Sequence, residues 1–205
     1  MMMINNKVLS EKTVDPDPFL QFSIWYKEHL EAGIAIPDSV SLGTASTAGR
    51  VSVRTVLLKG YDENGFVLFT NYMSKKGKQL SENPSAALLF YWGESGRQVR
   101  IEGKTEKVTW KESSAYFITR PRDSQISAWA SEQSSVIPDR LYLENRHEIF
   151  KRKFENKDVK KPPYWGGFRL IPDFFEFWSD GEFRLHDRIV YTRKDEVWTI
   201  SRLAP

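Results

Sequence analysis

Three clusters of polar side chains in this 205-residue chain carry more charge than their local patterns require. In the first, Ser74 has the character of a helix N-cap, and Lys75, Lys76 and Lys78 crowd the turn that follows it. Helix N-termini present unpaired N–H groups and partial positive charge, so each such cation is unfavourable by roughly 0.3–1 kcal/mol unless an anion sits among them. A bound phosphate would remove the conflict. The plainer reading is a solvated lysine cluster on a surface helix. Arg54, Lys59 and Thr70, on the strands just upstream, join this cluster.

The second cluster is Tyr116 and Arg120, four residues apart and so on one helix face, followed by Ser124 at the start of the next helix. A phenol, a guanidinium and a hydroxyl beside helix N–H groups can hold a phosphate dianion. The alternative makes Tyr116 a core residue and Arg120 a surface charge favoured by a helix C-terminus. The third cluster is Arg184-Leu185-His186-Asp187-Arg188. In an extended strand, Arg184, His186 and Arg188 project from one face and Leu185, Asp187 and Ile189 from the other. Such a row is costly without an anionic partner, unless Asp187 and nearby acids neutralise it. Trp178 adds an aromatic surface suited to a planar ring, or simply to a core.

Several chemistries lack their residues. There are no cysteines and only three histidines, which removes thiolate nucleophiles, disulfides and any convincing zinc motif. G-x-S-x-G, the Walker A loop and G-x-G-x-x-G are all missing from the sequence. Phosphate-friendly clusters without a hydrolytic nucleophile suggest a phosphorylated cofactor beside a phosphorylated substrate, the cofactor carrying the reaction. A net charge of +3, spread over short separated clusters, suits anionic small molecules and argues against a nucleic-acid partner. No apolar run is long enough to span a bilayer, and Met1 to Val14 has no signal-peptide pattern, so the expected location is the cytoplasm with no membrane partner.

The elements that must position these clusters are mostly strands. Asp17-Pro18 opens a helix in which Phe19, Phe22, Tyr26 and Leu30 share a face, and Gly33 closes it. Val40–Thr47 and Val51–Lys59 form a hairpin, and Asn64-Gly65 turns Arg54–Lys59 into Phe66–Thr70. A short helix from Ser74 to Asn83-Pro84 leads to strands Ala86–Trp92 and Arg97–Val108. Thr109 to Glu112 has capping-box form and opens a helix closed by Pro121; Asp123 caps a short one to Trp129, and Pro138-Asp139 opens a longer one. Lys157–Pro163 reads as a loop. Trp165–Leu170, Phe174–Trp178, Phe183–Thr192 and Val197–Leu203 read as four further strands. About eight antiparallel strands with a few helices predict a mainly β, α+β fold, a closed or split barrel rather than a doubly wound sheet. Residues 1–16 are expected to be mobile and 17–205 to form one domain.

Taken together, Arg54-Thr-Val-Leu-Leu-Lys59, Phe69-Thr-Asn71, Ser74-Lys-Lys76, Arg97-Gln-Val99, Arg120-Pro-Arg-Asp-Ser-Gln125, Gln133-Ser-Ser135, Trp165-Gly-Gly167, Glu176-Phe-Trp178, Arg184-Leu-His-Asp-Arg188 and Arg202-Leu-Ala-Pro205 closely resemble the pyridoxamine 5'-phosphate oxidase family, in unbroken order from about Asp17 to Pro205. The resemblance implies a homodimeric split β-barrel with FMN at the subunit interface. It also implies oxidation of pyridoxamine or pyridoxine 5'-phosphate to pyridoxal 5'-phosphate, with dioxygen as acceptor and hydrogen peroxide released. By the same resemblance FMN is held by Arg54, Thr55, Val56, Leu57, Leu58, Lys59, Phe69, Thr70, Lys75 and Lys76, with Gln98, Gln133, Ser134, Trp178 and Arg188 completing the site, some from the second subunit. Lys59, Tyr116, Arg120 and Ser124 would grip the substrate phosphate, and Arg184 and His186 would lie over the pyridine ring as catalytic residues. Two features depart from the family pattern. Lys75 stands where an arginine is usual, and Met1 to Pro16 contains neither the Arg nor the Tyr that many members carry ahead of the first helix. Related readings are a flavin oxidase of the phenazine-biosynthesis type and a non-catalytic split-barrel module that binds flavin, haem or pyridoxal phosphate.

Overall fold

The computed structural model describes residues 8–33 and 36–205. Helix α1 (Pro18–Glu31) starts where Asp17 Oδ1 accepts from the Phe19 N–H at 2.8 Å, with proline in the first turn. The strands are β1 (Ser39–Ala45), β2 (Val51–Leu57), β3 (Gly60–Asp62), β4 (Gly65–Asn71), β5 (Ser85–Trp92), β6 (Arg97–Lys107), β7 (Trp165–Ser179), β8 (Asp187–Lys194) and β9 (Val197–Arg202). Helix α2 (Lys75–Glu82) follows β4, while α3 (Trp110–Thr119), α4 (Arg122–Ala130) and α5 (Arg140–Lys153) fill the stretch between β6 and β7.

Among the described residues all nine strands belong to one antiparallel sheet that runs β2-β1-β5-β6-β7-β4-β3, with β8 and β9 branching from β7. Strand β7 is where the sheet forks. One edge of it pairs with β6 from Phe168 to Ser179; on the other edge Phe66–Asn71 of β4 takes Trp165–Leu170 and β8 takes Phe174–Ser179. The two short strands expected at 165–170 and 174–178 are therefore one. Pro172, which reads as a break, sits opposite Gly103 at an irregularity in the β6–β7 register, where a missing N–H is tolerated. A Cβ at Gly103 would lie 2.0 Å from the Ile171 carbonyl oxygen, so glycine is required for that close approach.

The curled sheet makes a split barrel whose interior is aromatic. Phe22 of α1 is fully buried against Tyr61, Phe66 and Phe90, and Trp25 meets Phe177 edge-on at 5.3 Å. Leu42, Leu88, Val99, Ile101 and Phe175 complete the core. A smaller core of Phe117, Ile126, Phe154, Val159 and Trp165 seats α3, α4 and α5 against the first half of β7.

Three local expectations change. Helix α4 begins at Arg122, and its N-cap position is Pro121, so Asp123 lies within the first turn. Strand β8 begins at Asp187; Glu182–Arg184 form a 3₁₀ turn in which Phe183 and Arg184 have φ of 55° and 63°. Residues 1–7 of the expected mobile segment lie outside the described residues, whereas Leu9 and Val14 are buried in the main core. That stretch is pinned from the far end of the chain: Tyr191 donates to the Asp15 carbonyl at 2.6 Å, and Arg202 donates to that of Leu9 at 2.9 Å.

Candidate functional site

Strand β4 and helix α2 are joined by a tight corner that aims one lysine inward. Ser74 is fully buried; its hydroxyl accepts from the Gly77 N–H at 3.2 Å and donates to the Asn71 carbonyl at 2.7 Å. A Cβ at Gly77 would come within 2.6 Å of the carbonyl oxygens of both Asn71 and Tyr72, so only glycine lets the first turn of α2 press against the end of β4. Lys76 is thereby carried beside Thr70, donating to its hydroxyl at 3.3 Å, and Thr70 in turn donates to Gln133 Oε1 at 3.3 Å. Burial, followed by the nearby charge of Arg54, lowers the pKa of Lys76. Lys75 and Lys78 are exposed.

This corner opens onto a cavity of about 610 Å³ between β2, the end of β4, α3, α4 and the start of β7. Of the residues singled out in the sequence, it is lined by Thr55, Val56, Leu57, Lys59, Phe69, Thr70, Lys76, Tyr116, Arg120, Ser124 and Gln133. Lys59, Thr70 and Lys76 of the first polar cluster thus share one cavity with Tyr116, Arg120 and Ser124 of the second. Asn71, Thr119, Pro121, Ser127, Ala128, Ser131 and Trp165 also line it and were not anticipated. Of these Asn71, Pro121 and Trp165 stood in quoted motifs but were given no role, and nothing in the type or spacing of Trp165 marked it as more than core.

The far wall is a stack of rings. Phe69 lies 4.1 Å from Tyr116 at 10° and 5.4 Å from Trp165 at 3°. Arg120 places its guanidinium 4.7 Å from the Trp165 ring centre. Burial lowers its pKa, partly countered by Tyr116, and its Nη1 is buried without a hydrogen-bond partner. Arg54 lies beside the cavity on β2 and donates to Thr44 Oγ1 at 2.7 Å and to the Leu42 carbonyl at 3.0 Å. Among the described residues, Arg54, Lys76 and Arg120 form no ion pair, whereas Lys59 is paired with Asp38. Half-buried cations served only by neutral groups are a donor set that fits phosphate esters.

The remaining candidates lie elsewhere. Leu58 is in the core, and Lys75 and Ser134 are exposed, Ser134 with φ of 74°. Gln98, Trp178 and Arg188 sit side by side across β6, β7 and β8, and the His186 ring packs 4.7 Å from that of Trp178. None of them lines the cavity. The expected row of Arg184, His186 and Arg188 on one strand face does not form, because the chain bends through the 3₁₀ turn before β8 begins. Arg184 is exposed there, His186 Nδ1 lies 3.0 Å from Asp180 Oδ1, and Arg188 donates through Nε to Glu176 at 2.6 Å. Glu176, only 3% exposed, stood in a quoted motif without a role and is one of the nearby acids that neutralise Arg188; it also accepts from Arg100 at 2.7 Å.

The same arrangement of elements is found in known proteins. Residues 26–148 match the family model described as pyridoxamine 5'-phosphate oxidase, and residues 165–205 match the pyridoxine 5'-phosphate oxidase C-terminal dimerisation region. The chain is 52% identical over 200 residues to a pyridoxine/pyridoxamine 5'-phosphate oxidase of Burkholderia thailandensis, covering 96% of this chain and 93% of the relative. It is 49% identical over 198 residues to the enzyme of that name from a Nostoc species, covering 96% and 92%. Among solved structures, PhzG from Burkholderia lata 383, in complex with tetrahydrophenazine-1-carboxylic acid, superposes with a TM-score of 0.90 at 28% identity, covering 97% of this chain and 98% of that one. A pyridoxamine 5'-phosphate oxidase-related, FMN-binding protein from Nostoc punctiforme shares the fold, with a TM-score of 0.72 at 17% identity over 92% of this chain and 98% of that one. With family models over most of its length and relatives at about half identity, the chain belongs to the pyridoxamine 5'-phosphate oxidase family of oxidoreductases.

Proposed function

We propose that this protein oxidises pyridoxamine 5'-phosphate and pyridoxine 5'-phosphate to pyridoxal 5'-phosphate, using FMN and dioxygen, in the salvage of vitamin B6. The observation that carries the reading is the gathering of Lys76 and Arg120, with Arg54 alongside, at one cavity without a carboxylate to neutralise them. Two phosphate esters, one on the cofactor and one on the substrate, account for that surplus. FMN, when bound, supplies two-electron oxidation of the substrate carbon and returns the electrons to dioxygen as hydrogen peroxide.

Arg54 and Lys76 would hold the cofactor phosphate, with Thr55, Val56, Leu57, Phe69, Thr70 and Gln133 around the rest of it. Lys59, Tyr116, Arg120 and Ser124 would grip the substrate phosphate, so the reacting carbon is oriented from its far end. For the amine, water adds to the imine formed by oxidation and ammonia leaves, giving the aldehyde. Gln98, Trp178, Arg184, His186 and Arg188 are assigned to the same site from a second copy of the chain. The match of residues 165–205 to a dimerisation region supports this, as does the edge strand β2, which exposes Val51 and Val53 along its length and Leu57 at the cavity. Among the described residues no helix is long and apolar enough to cross a membrane. The absence of cysteine suits a reducing compartment, and we assign the activity to the cytoplasm.

The test is to purify the protein, record flavin absorbance, and add pyridoxamine 5'-phosphate in air. Peroxide and pyridoxal 5'-phosphate in equal amounts are expected; flavin-loaded protein that makes neither overturns the reading in favour of a binding module. Arg184→Ala should lower turnover far more than flavin content. The close superposition on PhzG supports a second reading, oxidation of a reduced phenazine. Tetrahydrophenazine-1-carboxylic acid assayed in parallel decides between them by the ratio of kcat/KM values.

A further inference from the structure

We infer that Trp165 is a positioning residue for phosphate capture, holding the Arg120 guanidinium in its working place through the face of the indole. The inference rests on the phosphate reading of the cavity and adds to it a group that touches no reacting atom. Arg120 ends α3, and its main chain is anchored on both sides of the peptide. Its N–H donates to the Phe117 carbonyl at 3.2 Å, and Gln125 Nε2 donates to the carbonyls of Arg120, Phe117 and Ile118 at 3.0–3.2 Å. The side chain has no such anchor. Among the described residues it forms no ion pair, its Nη1 is buried and unpartnered, and its guanidinium meets only ring faces, Trp165 at 4.7 Å and Phe117 at 5.6 Å.

Trp165 is itself held rigidly. It is 6% exposed, lies parallel to Phe69, and meets Phe117 edge-on at 5.1 Å. A Cβ at Gly166 would sit 2.1 Å from the Tyr72 hydroxyl, and one at Gly167 would sit 2.9 Å from the Phe69 ring, so two glycines let β7 run close enough to β4 to fix the indole plane. The choice of a ring over a carboxylate has a chemical consequence. A carboxylate would neutralise Arg120 and occupy its N–H groups, and an incoming phosphate would have to displace it. An aromatic face restrains the cation while leaving its in-plane donors free.

The test uses flavin-loaded protein and inorganic phosphate as the probe, followed by calorimetric titration, with KM and kcat for pyridoxamine 5'-phosphate measured beside it. Trp165→Leu should weaken phosphate binding and raise KM roughly tenfold, the scale of a desolvated cation–π contact, while kcat changes less than about twofold. Trp165→Phe, which keeps a face, should recover most of the loss. In an Arg120→Gln background, Trp165→Leu should add almost nothing. If Trp165→Leu does not accumulate as folded protein, Trp165→Met, an unbranched side chain that adapts to an irregular gap and has no ring, takes its place. Equal losses with and without Arg120, or a Phe variant as weak as the Leu variant, would overturn the positioning role alone. Wild-type protein that binds flavin but no phosphate would overturn the phosphate reading and this role with it.

Discussion

The guanidinium of Arg54 donates to the hydroxyl of Thr44 at 2.7 Å, and that hydroxyl in turn donates to Gln79 Oε1 at 2.7 Å. Thr44 and Gln79 are both buried, and burial lowers the pKa of Arg54. The cation is therefore aimed by neutral groups from β1 and α2, which leaves its charge for a ligand. Thr44→Val keeps the shape and deletes the acceptor. Flavin affinity should fall roughly tenfold, since a hydrogen bond to a charged group contributes about 1.5–3 kcal/mol and part of that survives through the Leu42 carbonyl. Fluorescence titration of the flavin-free protein with FMN measures it, and unchanged affinity counts against the aiming role.

Two adjacent lysines should behave differently. Lys76 reaches Thr70 beside the cavity, whereas Lys75 is exposed. Lys76→Met should reduce FMN affinity by at least tenfold, and Lys75→Met by no more than about threefold, the reach of a screened surface charge. The reverse order would contradict the corner geometry described above.

The pH dependence follows from the same lysine. Its folded-state pKa lies below its unfolded-state value because of burial and then the charge of Arg54. In the alkaline window between those two values the unfolded chain holds more protons, so the flavin-free protein gains stability as pH rises through it. Lys76 loses its charge in the same window, so FMN affinity should fall while stability rises. Melting curves and flavin titrations over that window should show opposite slopes, and Lys76→Met should flatten the stability slope.

Glu176 is 3% exposed and takes charge-assisted hydrogen bonds from Arg100 and Arg188. Glu176→Gln leaves Arg188 without its carboxylate partner and Arg100 with Glu102 alone, at 3.0 Å. Partial exposure of the arginines moves the expected loss below the buried-pair range of about 3–5 kcal/mol, to about 2–3 kcal/mol, or a fall in Tm of roughly 5–10 °C. Differential scanning calorimetry reads this directly.

Tyr191 is fully buried and bonds the carbonyl of Asp15, 176 residues earlier. Tyr191→Phe should cost about 1 kcal/mol and expose residues 8–16 to limited proteolysis before the barrel is cut. Cleavage at the wild-type rate would mean that Leu9, Val14 and Arg202 anchor the segment without it.

What the amino-acid order determined by itself is largely local. Asp17-Pro18, Ser74, Thr109 and Asp139 announce their helices because capping depends on three or four consecutive residues. Alternation along Arg97–Lys107 announces its strand for the same reason. The polar clusters were also legible, since three lysines at a helix start or a tyrosine and an arginine four apart conflict with nearest neighbours alone. Tertiary structure decided the rest. Whether residues 165–179 are one strand or two depends on β4 and β8 dividing its free edge, and the fate of Arg184 depends on a turn that no period of two foresees. The meeting of Lys76 and Arg120 at one cavity and the indole under Arg120 join segments about 45 residues apart, and the buried acid under Arg188 comes from the neighbouring strand. Only packing brings such groups within reach, because contact at that separation is set by the shape of the barrel rather than by neighbouring residue types.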